Sequence, residues 1–267
     1  QPGRSIWPVS GASRSTLKIE MPLDSVTSPA KLNLLVASPE NQLASDWDIW
    51  VFPEAKGTGV RGQEAGDIHI SASFDEATLE RLRGGETVLL LPKIGTLSGD
   101  LPSCFTTYYW TSFGTKGGQS SANGILLDAT HPLFRDFPTE SHANWQWWDL
   151  LTRCQPMILD SYDREHAWPK AYRPLIQPID SWKINRKLAL VAEARVGPGK
   201  LLICSIDIEN DLETRPATRQ FRKGLFDYIQ SPDFNPKIQI EPAAIAALFG
   251  ADEKAEAFNT QNLPTDG

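Results

Sequence analysis

The chain of 267 residues carries a formal net charge of -7, with 40% hydrophobic and 22% charged residues. That balance permits a sizeable core and argues against a nucleic-acid partner, because phosphate binding needs a basic face. No apolar run approaches the ~20 residues that carry a helix across a bilayer, so no membrane partner is expected. The opening QPGRSIWPVS has no initiator Met and neither the basic nor the apolar stretch of a secretion signal. The chain is therefore expected to begin partway through a longer protein or after processing.

Taken in order, residues 16 to 53 read as β. TLKIEMPL alternates, KLNLLVA is a compact apolar run, and DWDIWVFP is aromatic and β-branched. Residues 54 to 67 are loop, and GDIHISAS alternates again. A capping box, Ser73 with Glu76, predicts a helix that ends at Gly84 and Gly85. ETVLLLP is almost continuously apolar, as in a strand covered on both faces. Strand, helix and buried strand make a βαβ unit. Residues 93 to 140 read as long irregular territory with one β-like run, CFTTYYW.

ANWQWWDLLTRC predicts a helix with Trp147, Leu150, Leu151 and Cys154 on one stripe. PMILD and PLIQPID are short strand candidates. LALVAEARV and KLLICSIDI are longer ones, joined by a hairpin turn at Gly197, Pro198 and Gly199. Pro216 suits the first turn of a helix whose apolar stripe is Phe221, Leu225, Tyr228 and Ile229. EPAAIAALFG predicts a short last helix, and the polar tail after it is expected to be mobile. Alternating strands and helices predict an α/β domain with a mixed sheet.

Chemistry is harder to find. GxGxxG, GxxxxGK[ST] and GxSxG are absent. Cys104, Cys154 and Cys204 lack zinc spacing, His131 and His142 are eleven apart, and His69 and His166 are remote. No metal and no cofactor is expected. Cys204, inside LLICSI, reads as a small buried hydrophobe. Asp128, Glu140, Asp149, Asp180, Glu193 and Asp207 have apolar or aromatic neighbours, and each reads first as a cap, a turn residue or an ion-pair partner. Arg215 and Arg219 share a helix face and could pair with Asp207 or Asp211. Asp180, Trp182 and Gln220 belong to the same polar group.

The strongest local constellation is DATHPLFRDFPTESHANWQWWD, residues 128 to 149. Sugars stack apolar ring faces on indoles while planar polar groups take their hydroxyls. Trp145 and Trp148 are the candidate stacking faces. Asn144, Gln146, His142, Asp128 and His131 are the candidate hydrogen-bonding groups, while Trp147 reads as core. Trp47 and Trp50 lie three apart in a strand and so face opposite sides, one to a core and one to a partner.

DWDIWVFP, GGETVLLLP, HPLFRDFPTESHANWQWWDLL, RPLIQPID, EARVGPGKLLICSIDI and RPATRQFRKGLFDYIQSPDFNP, in that order, resemble the C-terminal region of bacterial glycoside hydrolase family 2 proteins, of the β-galactosidase or β-glucuronidase kind. The resemblance covers roughly residues 30 to 236. It implies a glutamine-amidotransferase-like (flavodoxin-like) three-layer α/β domain with a mixed sheet, lacking that class's catalytic residues. It also implies a secreted or periplasmic location, and β-sandwich and catalytic barrel domains upstream in the same polypeptide. No segment matches the barrel motifs, so no catalytic residue carries over. In KIGTL, after the buried strand, no Cys stands where an amidotransferase has its nucleophile.

The expected division is residues 1 to 45 as strands from a β-sandwich, 46 to 236 as the α/β domain, and 237 to 267 as helix and tail. The expected function is that of a non-catalytic accessory module of a polysaccharide-processing enzyme, binding glycan near residues 145 to 148. The alternatives are a purely structural packing or oligomerisation module, and an independent glycoside hydrolase using Asp128, His131 or His142.

Overall fold

The computed structural model describes residues 20–38, 43–53, 68–99, 101, 105, 122, 124–160, 168–180 and 185–249. The expectations for TLKI at 16–19, the 54–67 loop, CFTTYYW apart from Phe105, Cys104, His166, Trp182 and the tail after residue 249 lie outside these residues.

Strands β1 (Ala30–Ser38) and β2 (Leu43–Val51) form an antiparallel ribbon in which Leu32 faces Ile49 and Leu34 faces Trp47. Side chains alternate across a strand. Leu32, Leu34, Val36, Trp47 and Ile49 therefore share one face, and Lys31, Asn33, Asp46, Asp48 and Trp50 share the other. Ahead of the ribbon, residues 20–23 are irregular rather than strand. Pro22 removes a ladder donor there.

β3 (Ile68–Ser71), α1 (Glu76–Arg83) and β4 (Thr87–Leu90) form the expected βαβ unit, with β3 and β4 parallel. The helix is capped differently from the sequence reading. Asp75, not Ser73, is the N-cap, accepting from the Thr78 amide at 2.9 Å, while the Ser73 hydroxyl donates to Asp75. A carboxylate two residues closer to the first turn reaches the free amides better.

β5 (Ile125–Leu127), β6 (Met157–Ile158), β7 (Ile176–Pro178), β8 (Leu188–Ala189), β9 (Val191–Val196) and β10 (Gly199–Cys204) follow. The main sheet has the order β3-β4-β10-β9-β7-β5. β3, β4 and β10 run parallel, and the pairs β10-β9, β9-β7 and β7-β5 are antiparallel, so the sheet is mixed as expected. The turn between β9 and β10 is Gly197 and Pro198, with Gly197 at φ 59°. LALVAEARV is two strands rather than one: β8 pairs with β6, and β9 joins the main sheet. β5 and a 3-10 turn at Pro132–Phe134 lie within the stretch expected to be irregular. Both are three residues long, below the length at which periodicity is detectable.

Helices cover both sheet faces. On one side Leu89, Val191, Leu202 and Cys204 meet α2 (Trp148–Thr152) and α3 (Pro216–Gln230) through Leu150, Leu151, Phe221 and Leu225. On the other, Val88, Leu90, Leu201 and Ile203 meet α1 and α4 (Pro242–Ala246) through Leu79, Leu82 and Ile245. Burial on both faces explains the uninterrupted apolar runs of β4 and β10. The last segment is docked as well: the Ser98 amide donates to Leu248 O at 2.7 Å and Trp168 Nε1 to Ala244 O at 3.4 Å. No described helix is long and apolar enough to cross a membrane.

Candidate functional site

The expected tryptophan helix is built in two pieces, a 3-10 turn at Trp145–Trp147 continued by α2. Asn144 explains the tight start. Its side-chain oxygen accepts from the Gln146 amide at 3.2 Å, the N-cap interaction that satisfies an otherwise free donor. Trp147 then turns inward and is fully buried, edge-on to Phe137 at 5.2 Å and to Phe221 at 5.8 Å. Its indole donates to Thr139 Oγ1 at 2.9 Å. One residue before and one after, Trp145 and Trp148 are 72% and 54% exposed. Being three apart in a helical segment, they lie on the same side. Phe105 packs on Trp145 with ring centres 5.4 Å apart.

The ribbon clamps this segment from outside. Lys31 donates to Glu140, and Glu140 also receives the amide of Asn144. Burial alone would raise the carboxyl pKa of Glu140, but the contacts from Lys31 and Asn144 outweigh it and hold it below the usual range. Trp50 Nε1 and Gln146 Nε2 both donate to Pro138 O, at 3.2 and 2.6 Å. Phe52 stacks on Phe137 at 6.1 Å. Trp50 thus faces the domain, and Trp47, on the opposite ribbon face, is 52% exposed.

The remaining sequence candidates fall in several places. Gln146 is 5% exposed, with its amide nitrogen committed to Pro138. His142 is exposed and bridges Leu126 through its backbone. Asp128 closes a turn by accepting from Thr130 N and Oγ1 at 2.9 and 2.6 Å, and these bonds lower its pKa. His131 caps the 3-10 turn at Pro132–Phe134, accepting at Nδ1 from Leu133 N at 3.2 Å. Its ring lies edge-on to Tyr228, 5.0 Å away, and burial lowers its pKa. Tyr228 in turn donates to Glu193, so Glu193 is held by a phenol.

The other acids are also occupied. Asp149 and the Asp207 carbonyl hold Arg215, and Asp180 holds Arg186. Arg215 therefore pairs with Asp149 and Asp207, whereas Asp211 pairs with Arg153 and Arg219 donates to Leu212 O.

After β4, Gly95 stands at φ 90°, its amide donating to Gln155 at 2.7 Å; Gln155 also donates to Leu97 O and Gly99 O. The buried Cys204 thiol is pushed up to about 12 by desolvation, far from the thiolate a nucleophile needs. Cys154 and Cys204 are both buried. Among the described residues no group of three or more His, Cys, Asp or Glu is placed to hold a metal ion. Sequence reasoning missed Lys31 and Trp50 as neighbours of residues 138 to 146, because no local pattern reports a contact 109 residues distant.

No curated protein matches the chain. A family model described as Domain of unknown function (DUF8488) matches residues 9–53, which include the ribbon. A second, described as Domain of unknown function (DUF8487), matches residues 69–250, well over half of the chain and the whole of the main sheet apart from the first residue of β3. The protein with this aromatic platform belongs to the DUF8487 family.

Proposed function

We propose that the chain is a non-catalytic accessory module of a larger carbohydrate-processing enzyme, secreted or periplasmic, of the glycoside hydrolase family 2 kind. On this reading its Trp145 and Trp148 platform binds glycan. The observation that carries the reading is the pair of exposed indoles three residues apart, fixed from below by the fully buried Trp147. Large rigid faces held this way suit the apolar side of pyranose rings. His142, exposed three residues before Trp145, is a polar candidate for a hydroxyl. The non-catalytic part rests on Asp128, Glu140, Asp149 and Asp180, each occupied by a turn or by a cation. We further read the three-layer domain as amidotransferase-like, with Gly95 and its bond to Gln155 in the loop where that class has its nucleophile.

Isothermal titration against plant and algal oligosaccharides, with depletion assays on insoluble polysaccharides, tests the reading. Binding that Trp145→Ala or Trp148→Ala weakens at least about tenfold, as loss of a stacked aromatic should, supports it. Silence across the panel removes it.

A second reading, a structural module that packs against other domains, is favoured by the ribbon. Val36, Leu43, Trp47 and Ile49 share one ribbon face and are all exposed there, and clustered apolar side chains of this kind mark contact surfaces. If Trp47→Ser changes association with upstream domains while the platform variants change nothing, this second reading replaces the first.

A further inference from the structure

We propose that Lys31 is a positioning residue for the Trp145 and Trp148 platform, so that the N-terminal ribbon governs the platform without touching its ligand. The binding consequence rests on the glycan reading above; the positioning itself does not.

The two parts match different family models, 9–53 and 69–250, yet a continuous chain of polar contacts joins them. Lys31 is gripped by Asp48 at 2.8 Å within the ribbon and donates across to Glu140. Glu140 receives Asn144 Nδ2. The other end of the same Asn144 amide accepts from Gln146 N and so caps the turn that carries Trp145. An isolated exposed ion pair contributes little. Here the Glu140 carboxylate holds one end of an amide whose other end is the helix cap, so the ion pair sets the orientation of the cap itself. A second route runs in parallel. Trp50 and Gln146 share Pro138 O, and Phe52 stacks on Phe137, which packs edge-on to Trp147. The ribbon thus grips residues 137 to 146 on the N-terminal side of the platform, where a change of cap angle swings both indoles.

The test uses the full chain as wild type, Lys31→Met and Lys31→Arg, read by amide hydrogen exchange without ligand and by glycan affinity. In Lys31→Met the Gln146 amide exchanges about five-fold faster, the size of a lost N-cap interaction. The Leu202 amide in β10 is unchanged. Lys31→Arg restores Gln146 exchange to within about two-fold, because it keeps the charge and the reach. In the binding arm, the Kd of Lys31→Met rises by the same factor. Added salt weakens wild-type binding and leaves the Met variant flat, since screening acts only where the pair exists.

Unchanged Gln146 exchange in Lys31→Met overturns the proposal. So does equal acceleration at Gln146 and Leu202, which would mean general loosening. If the wild type binds no glycan while Gln146 exchange responds as described, positioning stands and the glycan reading falls. If the wild type binds and Lys31→Met binds equally with unaltered exchange, the glycan reading stands and positioning falls.

Discussion

Arg215, at the N-terminus of α3, points its Nε at both carboxylate oxygens of Asp149 in α2, at 2.9 and 2.8 Å. Its Nη1 donates to the carbonyls of Asp207 and Asn210, both at 2.9 Å, and Thr218 adds its hydroxyl to Asp149. The guanidinium is 3% exposed and the Asp149 side chain 21%. The pair ties the loop after β10 to the helix that follows the tryptophan turn. Removing Arg215 leaves the half-buried Asp149 carboxylate with the Thr218 hydroxyl but without its paired cation, the costly outcome for a buried pair. Arg215→Leu should cost about 3 kcal/mol, measured by urea denaturation. Arg215→Lys should recover less than half of that, because an ammonium cannot reproduce the planar fork.

The three tryptophans at 145, 147 and 148 should separate cleanly. Trp147→Ala opens a cavity among Phe134, Phe137 and Phe221 and should cost about 3–5 kcal/mol. Trp145→Ala and Trp148→Ala remove exposed rings and should shift stability by no more than about 0.5 kcal/mol. Denaturation midpoints of the three variants check this. A large loss in Trp148→Ala would mean that its ring supports the fold.

Gly199 opens β10 directly against the end of α1. A Cβ there would lie 2.5 Å from Leu82 O and 2.7 Å from Leu82 Cα, both backbone atoms that cannot swing aside. Gly199→Ala should therefore destabilise by about 2 kcal/mol through overpacking. Gly95→Ala meets nothing within 4 Å and would be strained only by its φ of 90°, an expected cost of about 1 kcal/mol. Thermal melts of the two variants rank them.

Protonation of His131 should oppose folding. Burial lowers its pKa below 6.5, although Glu193, Asp128 and Asp233 pull the other way. Its Nδ1 also accepts a hydrogen bond that a proton would abolish. The unfolded chain therefore binds this proton more readily, and stability falls as pH drops below 6.5 toward the lower folded value. Asp128 and Glu140, whose folded pKa values are also lowered, add losses of the same sign, but only near the carboxylate range. His131→Gln should flatten the urea midpoint between pH 6.5 and about 5, leaving the steeper acid limb intact.

By itself the sequence determined what is local. Apolar runs and β-branched or aromatic stretches placed β1, β2, β4 and β10, alternation placed β3, and the 3.6-residue period placed α3 and separated the buried Trp147 from Trp145 and Trp148, because burial repeats along one chain segment. The glycine-proline turn forecast the antiparallel β9 and β10. The tertiary structure alone decided which charges met. Lys31 and Glu140 are 109 residues apart, and Arg215 and Asp149 are 66 apart. Any of 33 acids would satisfy a local reading equally well. It also decided that Asp75 rather than Ser73 caps α1, that Asp128 closes a turn, and that His131 lies against Tyr228. Hydrogen-bond geometry and burial arise from packing between distant segments, and a polar residue's letter carries no record of which partner the fold will bring to it.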